Sequence, residues 1–399
     1  MTTYELGPVA LPTKRATGCP FDPPAELAEL REERPVSRMT YPDGHVGWLV
    51  TSHAAARAVL ADARFSARAE LQHTPVLTFA GEIPPAQPGQ LITMDAPEHT
   101  RYRRLLMRQF TAARLSSLEA GIRRIVTECL DALENAGPPA DLVSIFATPV
   151  PSLVIGELLG VPEADRQLFA MQTDEVAAMT DPEAIMAAYG RTVGYMYSLV
   201  AAKRAAPTEG DLLGALVVDG ELTDEELVNI SMMLFVGGTE TTTNMIAHGV
   251  YALLENPLQL KAFLADPNAQ AIEELFRYLS IPQYGVPVRA ALEDVELEGQ
   301  LIAAGETVTI SVPAANRDPR VFTDPDKLLL DRANSASHVA FGHGVHRCLG
   351  QQLARMELRI AYTALFERFP ALRLAEPGVV PRMRESDVIY GPSSLPVAW

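Results

Sequence analysis

Between Thr223 and Pro257 the apolar and polar positions keep a helical period without a break. Thr223 and Glu226 have the spacing of a capping box, and Asn256-Pro257 supplies the stop, so the pattern predicts one helix from Asp224 to Glu255. At 1.5 Å per residue it would span roughly 48 Å. Its middle, Ile230 to Val236, is apolar on nearly every side and should cross the interior. From His99 to Val218 the pattern is mostly helical, with breaks at Pro138-Pro139, Pro149, Pro151 and Pro207. A further helix is expected near Leu349–Phe369, ending at Pro370. Strand alternation is confined to short stretches: Gly47–Thr51, residues 285–312 and Val388–Pro392. Residues 72–97 hold five prolines (Pro75, Pro84, Pro85, Pro88, Pro97), a long loop of the kind that usually serves function. The expected fold is mainly α with small β-sheets (α+β). An extended arm over 1–25 precedes one domain over 26–399.

Composition narrows the class. With 48% hydrophobic and 21% charged residues the 399-residue chain is globular, which excludes disorder, collagen and coiled coil. Thirty-three basic against 50 acidic side chains give a net charge of −17, which argues against nucleic acid or an anionic membrane as the main partner. The N-terminus lacks a signal-peptide core, and no apolar run reaches the length of a membrane span. Cys19, Cys129 and Cys348 are too few and too widely spaced for a disulfide framework. A monomeric, cytoplasmic protein is expected.

The richest chemistry lies at residues 338–350, His-Val-Ala-Phe-Gly-His-Gly-Val-His-Arg-Cys-Leu-Gly. Three of the eight histidines fall within ten residues of Cys348. Three readings suit it: a structural thiol, a zinc site, or a thiolate ligand to haem iron. Irregular His spacing and a lone Cys do not match structural zinc. Glycines at 342, 344 and 350 would let the backbone pass close to a flat macrocycle. The helix behind Cys348 would aim free N–H groups at the sulfur.

Phe341-x-x-Gly344-x-His346-x-Cys348-x-Gly350 resembles the haem-binding signature of cytochrome P450 monooxygenases, with His346 where many members carry Arg. The resemblance extends over essentially the whole chain. It is strongest to soluble actinobacterial members that oxidise bulky natural products such as macrolides, statins and sterol-like compounds. It implies the single-domain P450 fold, haem b, and Cys348 as the axial metal ligand.

Three other motifs fit that resemblance. Glu274-x-x-Arg277, an ordinary surface ion pair by itself, becomes a buried scaffold element tied to Arg332. His99 and Arg103 lie about 40° apart on a helix, whereas Arg101, Arg104 and Arg108 cluster on the opposite face. One face could grip two buried carboxylates while the other stays in water. The resemblance gives the haem propionates to His99, Arg103, Arg289 and either His338 or His346. Gly237-Gly238-Thr239-Glu240-Thr241 places two costly glycines in mid-helix, as if something flat approached there. By resemblance Gly238, Phe341, Gly342 and Gly350 also contact the cofactor, and Glu240 and Thr241 relay protons to bound oxygen.

The cofactor would carry the hard step, hydroxylation or epoxidation of a large hydrophobic molecule such as a polyketide, a macrolide or a statin-like lactone. Leu91, Ile92, Val236, Thr239, Val288 and Ile389 are the expected pocket residues, with the loop 72–93 and the segment 165–215 covering them. Electrons would come from a ferredoxin and its reductase, the ferredoxin docking near Arg101, Arg104, Arg108, Arg347 and Arg355. Two other readings stand beside this one. One is a peroxide-driven or non-oxygenating haem-thiolate enzyme, against which the Glu240-Thr241 pair speaks. The other is a haem-based sensor or carrier, for which no output module is visible.

Overall fold

The computed structural model describes residues 7–15, 19–76, 83–166, 169, 182–208, 210–284 and 287–399. The helices are α1 (Glu26–Glu33), α2 (His53–Ala61), α3 (Glu98–Met107), α4 (Ala112–Ala136), α5 (Pro149–Leu159) and α6 (Pro182–Ala205). They continue with α7 (Leu212–Asp219), α8 (Asp224–Glu255), α9 (Pro257–Ala265), α10 (Ala269–Leu279), α11 (Val312–Ala315) and α12 (Gln351–Arg368). Strands β1 (Val9–Ala10), β2 (Val36–Thr40), β3 (Val46–Val50), β4 (Phe65–Ser66), β6 (Val288–Ala291) and β9 (Thr307–Ile310) form a six-stranded sheet in the order β1-β2-β3-β9-β6-β4. Small sheets are made by β5 (Ala140–Asp141), β10 (Arg373–Leu374) and β11 (Pro396–Ala398), and by the hairpin of β7 (Val295–Leu297) and β8 (Gln300–Ile302). The mainly α architecture with small sheets agrees with the sequence pattern. None of the described helices is long and apolar enough to cross a membrane.

Helix α8 has the expected bounds. The Thr223 hydroxyl accepts the Glu226 N–H (3.2 Å) and the Glu226 carboxylate accepts the Thr223 N–H (2.7 Å), which closes the capping box. The helix packs against α5, α6 and α12 and sits in the main core. A second core fills the space under the large sheet, where Trp48, Val59, Leu60, Val308, Ile310 and Val339 meet. Val339 belongs to that core, whereas Phe341 and Leu349 pack on the helical one. The cysteine loop therefore lies at the seam between the two.

Several expectations change. Pro149 and Pro151 do not break a helix but occupy the first turn of α5, where backbone N–H groups have no helical partner to lose. Val9 and Ala10 of the arm pair in parallel with Met39 and Thr40, so these residues are stitched to the sheet. Val388–Pro392 is no strand and makes only isolated bridges, Pro282 to Ile389 and Met383 to Pro392. Side chains hold that region instead: the Gln283 amide donates to the carbonyls of Arg384 (3.1 Å), Glu385 (3.3 Å) and Asp387 (2.6 Å). Helix α12 begins at Gln351, two residues later than expected.

Glu274 and Arg277 are fully buried. Arg277 grips both Glu274 oxygens at 2.7 Å and donates to the carbonyls of Asn316, Pro325 and Lys327. Arg332 adds a third charge to the same carboxylate at 3.0 Å. A buried charge is tolerable when its hydrogen-bonding capacity is met, as it is here. The network pins the segment 316–332 under the cysteine loop.

Candidate active site

The Cys348 N–H donates to the Phe341 carbonyl at 2.8 Å and so closes the cysteine loop. Phe341 anchors it: its ring lies 4.5 Å from that of Phe276, and the Arg355 guanidinium lies 4.6 Å over it. Gly342 and Gly344 adopt φ of +70° and +72°, which side chains disfavour. Gly344 also presses on the Leu60 carbonyl of α2, leaving no room for a Cβ. Local backbone demands thus account for these two glycines, and only Gly350 faces open space as the macrocycle argument expects. Cys348 is exposed, with protein packed close behind it. That packing raises the thiol pKa, while the Gly350 N–H and the guanidiniums of Arg103, Arg355 and Arg347 pull it down. Those same groups favour a thiolate.

Four basic groups from three elements converge nearby. His99 is buried on α3 with Nε2 unpartnered among the described residues, and its ring lies 4.1 Å from that of His346. Arg289 of β6 is buried and donates to the adjoining Val288 carbonyl (2.7 Å). Burial lowers Arg289 to about 10. Burial, then the charges of Arg289 and His99, lower His346 to about 3. Arg103 shares the His99 face and is likewise lowered by burial. Asp95, the acid that acts on this cluster, is already held by the Ser66 hydroxyl (2.5 Å) and the Ala67 N–H (2.8 Å). Two guanidiniums drawn in beside two neutral imidazoles, with His99 Nε2 left unpartnered, suit an anionic ligand, and the two carboxylates of haem match the guanidiniums in number and sign.

His338 does not join the cluster. Its Nε2 meets Glu273 at 3.0 Å and its Nδ1 accepts the Ala340 N–H at 3.0 Å, so both nitrogens are committed to the scaffold. Of the two candidate histidines, His346 alone stands beside His99.

On α8 a stripe of accessible residues interrupts an otherwise buried helix: Val236, Gly237, Glu240 and half-buried Thr241. The Thr241 hydroxyl donates to the Gly237 carbonyl at 2.7 Å. Burial raises the Glu240 carboxyl, against which Arg384 acts, while Asp387 raises it further. Gly238 has a different reason from the expected one: a Cβ there would strike the Ile155 side chain of α5. Leu91, Thr239 and Ile389 are 3%, 2% and 8% exposed and pack as core residues. Ile92 and Val236 are accessible and Val288 is half-buried. Of the expected covering segments, residues 77–82, 167–168, 170–181 and 209 lie outside the described residues.

Arg101 and Arg104 of α3, and Arg108 just beyond its end, each face a carboxylate. Arg101 pairs with Glu226 (2.5 Å), Arg104 with Glu221 (3.6 Å) and Arg108 with Asp219 (3.8 Å). Arg355 pairs with Glu273. Arg347 is exposed and, with Arg355, Glu273, Gln270 and Gln352, lines a cleft of about 440 Å³ beside the cysteine loop. Sequence reasoning missed Asp95 and Arg384, since neither belongs to a motif and both act through tertiary proximity alone.

A cytochrome P450 family model matches residues 269–395. Over 398 residues the chain is 47% identical to cytochrome P450 105C1 of a Streptomyces species, covering 99% of this chain and 100% of that one. It is 42% identical to pentalenic acid synthase of Streptomyces avermitilis, covering 100% and 99%. A solved structure of Streptomyces peucetius CYP105P2 in complex with a biphenyl compound superposes with a TM-score of 0.90 at 42% identity, covering 98% of this chain and 100% of that one. With the cysteine loop and the cluster of buried bases arranged as described, these matches make the chain a member of the cytochrome P450 family, a haem-thiolate monooxygenase whose cofactor is haem b.

Proposed function

We propose that the protein uses dioxygen and electrons from a ferredoxin and its reductase to oxidise a large, hydrophobic secondary metabolite. The observation that carries the residue assignments is the convergence of His99, Arg103, Arg289 and His346 beside Cys348, where the nearby acid, Asp95, is committed to Ser66 and Ala67. Cys348 would ligate the iron, and the four bases would hold the propionates. When bound, the haem supplies dioxygen activation and transfer of one oxygen atom.

The chain's own residues do the rest. The Gly350 N–H and the guanidiniums near Cys348 lower the cost of forming a thiolate there, against the burial that raises the thiol pKa. Glu240 passes a proton to Thr241 Oγ, which presents it on the accessible stripe of α8. The intact acid–hydroxyl pair favours dioxygen over peroxide as the oxidant. Val236, Ile92 and Val288 offer apolar surface for a substrate held by shape. Relatives named for pentalenic acid synthesis and solved with a biphenyl compound support a bulky apolar substrate class. The ferredoxin would dock on the cleft at Arg347, because Arg101, Arg104 and Arg108 each already face a carboxylate.

The test is a screen of terpenoid, macrolide and lactone compounds for displacement of the iron-bound water, followed by product identification with a surrogate ferredoxin and reductase. Oxygenated product from at least one ligand that displaces the water is expected. Ligands that displace it and return no product under full reduction would overturn the assignment. Cys348→His should abolish the red-shifted ferrous–carbonyl band of thiolate ligation, and its survival would remove Cys348 from the iron.

A further inference from the structure

Helix α8 carries Glu240, Asn244 and His248 at i, i+4 and i+8, so they share one face. That face packs on the segment 384–391. Asn244 lies so close to Gly391 that any side chain at 391 would overlap its amide. His248 meets the Tyr390 ring edge-on at 5.4 Å. Arg384, whose N–H donates to the Gly391 carbonyl (2.9 Å), acts electrostatically on Glu240. On the outer side the Arg15 guanidinium lies 3.6 Å over the Tyr390 ring.

This seam gathers buried polar atoms without partners among the described residues: Asn244 Oδ1, both ring nitrogens of His248, and Nε of Arg15 and of Arg384. Asn244 and His248 are 1% and 0% exposed. Buried polar atoms are nearly always satisfied, and where protein does not satisfy them ordered water does. Packing does not explain the choice of His248. Its ring stacks on Phe21 at 5.2 Å and 20°, a contact phenylalanine would make as well, so the two nitrogens need another reason. Burial holds the imidazole neutral, with its pKa lowered to about 3, so one nitrogen donates and the other accepts.

We propose that this seam holds ordered water and that His248 and Asn244 conduct protons from the surface near Arg15 and Arg384 to the carboxyl of Glu240. The inference rests on the reading of Glu240 as the relay acid. In each passage a water gives a proton to the bare ring nitrogen of His248 while the opposite N–H gives its own to the next water. The ring is neutral before and after but in the opposite tautomer, and a turn of the ring restores the starting form before the next passage; nothing is oxidised or reduced. Asn244 positions the water through Oδ1, because its amide nitrogen is committed to the Glu240 carbonyl at 2.9 Å.

The test uses the haem-loaded enzyme and the variants His248→Phe and Glu240→Gln. A crystal structure of the wild type should place ordered water within hydrogen-bond distance of Asn244 Oδ1 and of a His248 ring nitrogen. His248→Phe should keep its haem content and melting temperature, yet turn over several-fold more slowly with a larger solvent deuterium isotope effect. The double variant should be no slower than Glu240→Gln alone, since both lie on one path. Wild-type rate and isotope effect in His248→Phe, beside a slowed Glu240→Gln, would overturn the seam and leave the relay acid standing. An unimpaired Glu240→Gln would overturn both. If His248→Phe fails to hold haem, the wild-type crystal decides alone, and a dry seam or a His248 ring bonded to protein sinks the proposal.

Discussion

Among the described residues, the buried Arg289 guanidinium bonds the neighbouring Val288 carbonyl and feels Asp95 only at a distance, an arrangement that destabilises the protein unless an anion arrives. Arg289→Leu should therefore leave the haem-free protein as stable as wild type or more so, while weakening haem retention by about 3–5 kcal/mol. Denaturation of both forms and haem transfer to an acceptor protein would check this, and equal losses in the two forms would contradict it. Glu357 makes a second case. It is buried in α12, and burial alone lifts its carboxyl pKa to about 8 from the ordinary 4.5. A raised acid contributes stability below about 4.5 that is lost progressively as pH rises towards 8. Glu357→Gln should stabilise the protein by roughly 4 kcal/mol at pH 8 and do little at pH 4, as read by urea unfolding at the two values. At this scale the sequence disclosed chemical type better than place. Cys348, His99 and Arg103 stand out by motif and by helical angle, and they do lie together. His338 and His346 look equivalent on paper, and only the Glu273 contact tells them apart. Gly238 and Gly344 signal crowding in the sequence, but what crowds them is Ile155 and Leu60, remote residues that no local pattern names.

The capping box of α8 shows why elements were more legible than sites. Thr223, Glu226, Asn256 and Pro257 act over a few residues, so sequence alone sets both ends of the helix. The proline reading failed over α5 because the same residue stops a helix from within and starts one at its first turn. Glu226 does more than cap. Its carboxylate also accepts hydrogen bonds from Arg101 (2.5 Å) and the Tyr102 hydroxyl (2.7 Å), which ties α3 to the start of α8. Burial would raise this carboxyl, but those bonds and the Thr223 N–H outweigh it and hold the pKa at about 2. Thr223→Ala should lose about 1 kcal/mol, the usual worth of an N-cap. Glu226→Gln should lose more, because it weakens the cap and the tie to α3 together. Chemical denaturation of the haem-loaded variants ranks the two, and the reverse order would show that α3 contributes little there.

Across the whole molecule, ionic ties join segments that sequence cannot see as neighbours. Glu273 on α10 is held by His338 (3.0 Å) and by Arg355 of α12. Burial would raise its pKa, but these partners depress it to about 2 from 4.5. A depressed acid gives stability that is complete above about 4.5 and lost as pH falls towards 2, a contribution of about 3 kcal/mol. Glu273→Gln should flatten acid unfolding over that window, and an unchanged acid limb in melting curves would remove the tie from the account. The chain ends offer another case. The Tyr284 hydroxyl bonds the carbonyls of both Thr13 (3.2 Å) and Glu385 (2.5 Å), and Arg15 reaches the Asp22 carbonyl (2.7 Å) while it covers Tyr390. Residues 13–15 and 384–390 thus brace one another across a separation that no local pattern spans. Cleavage beyond Arg15 should strip the cover from Tyr390, so a nick in the arm should be read out as faster amide exchange in residues 384–391.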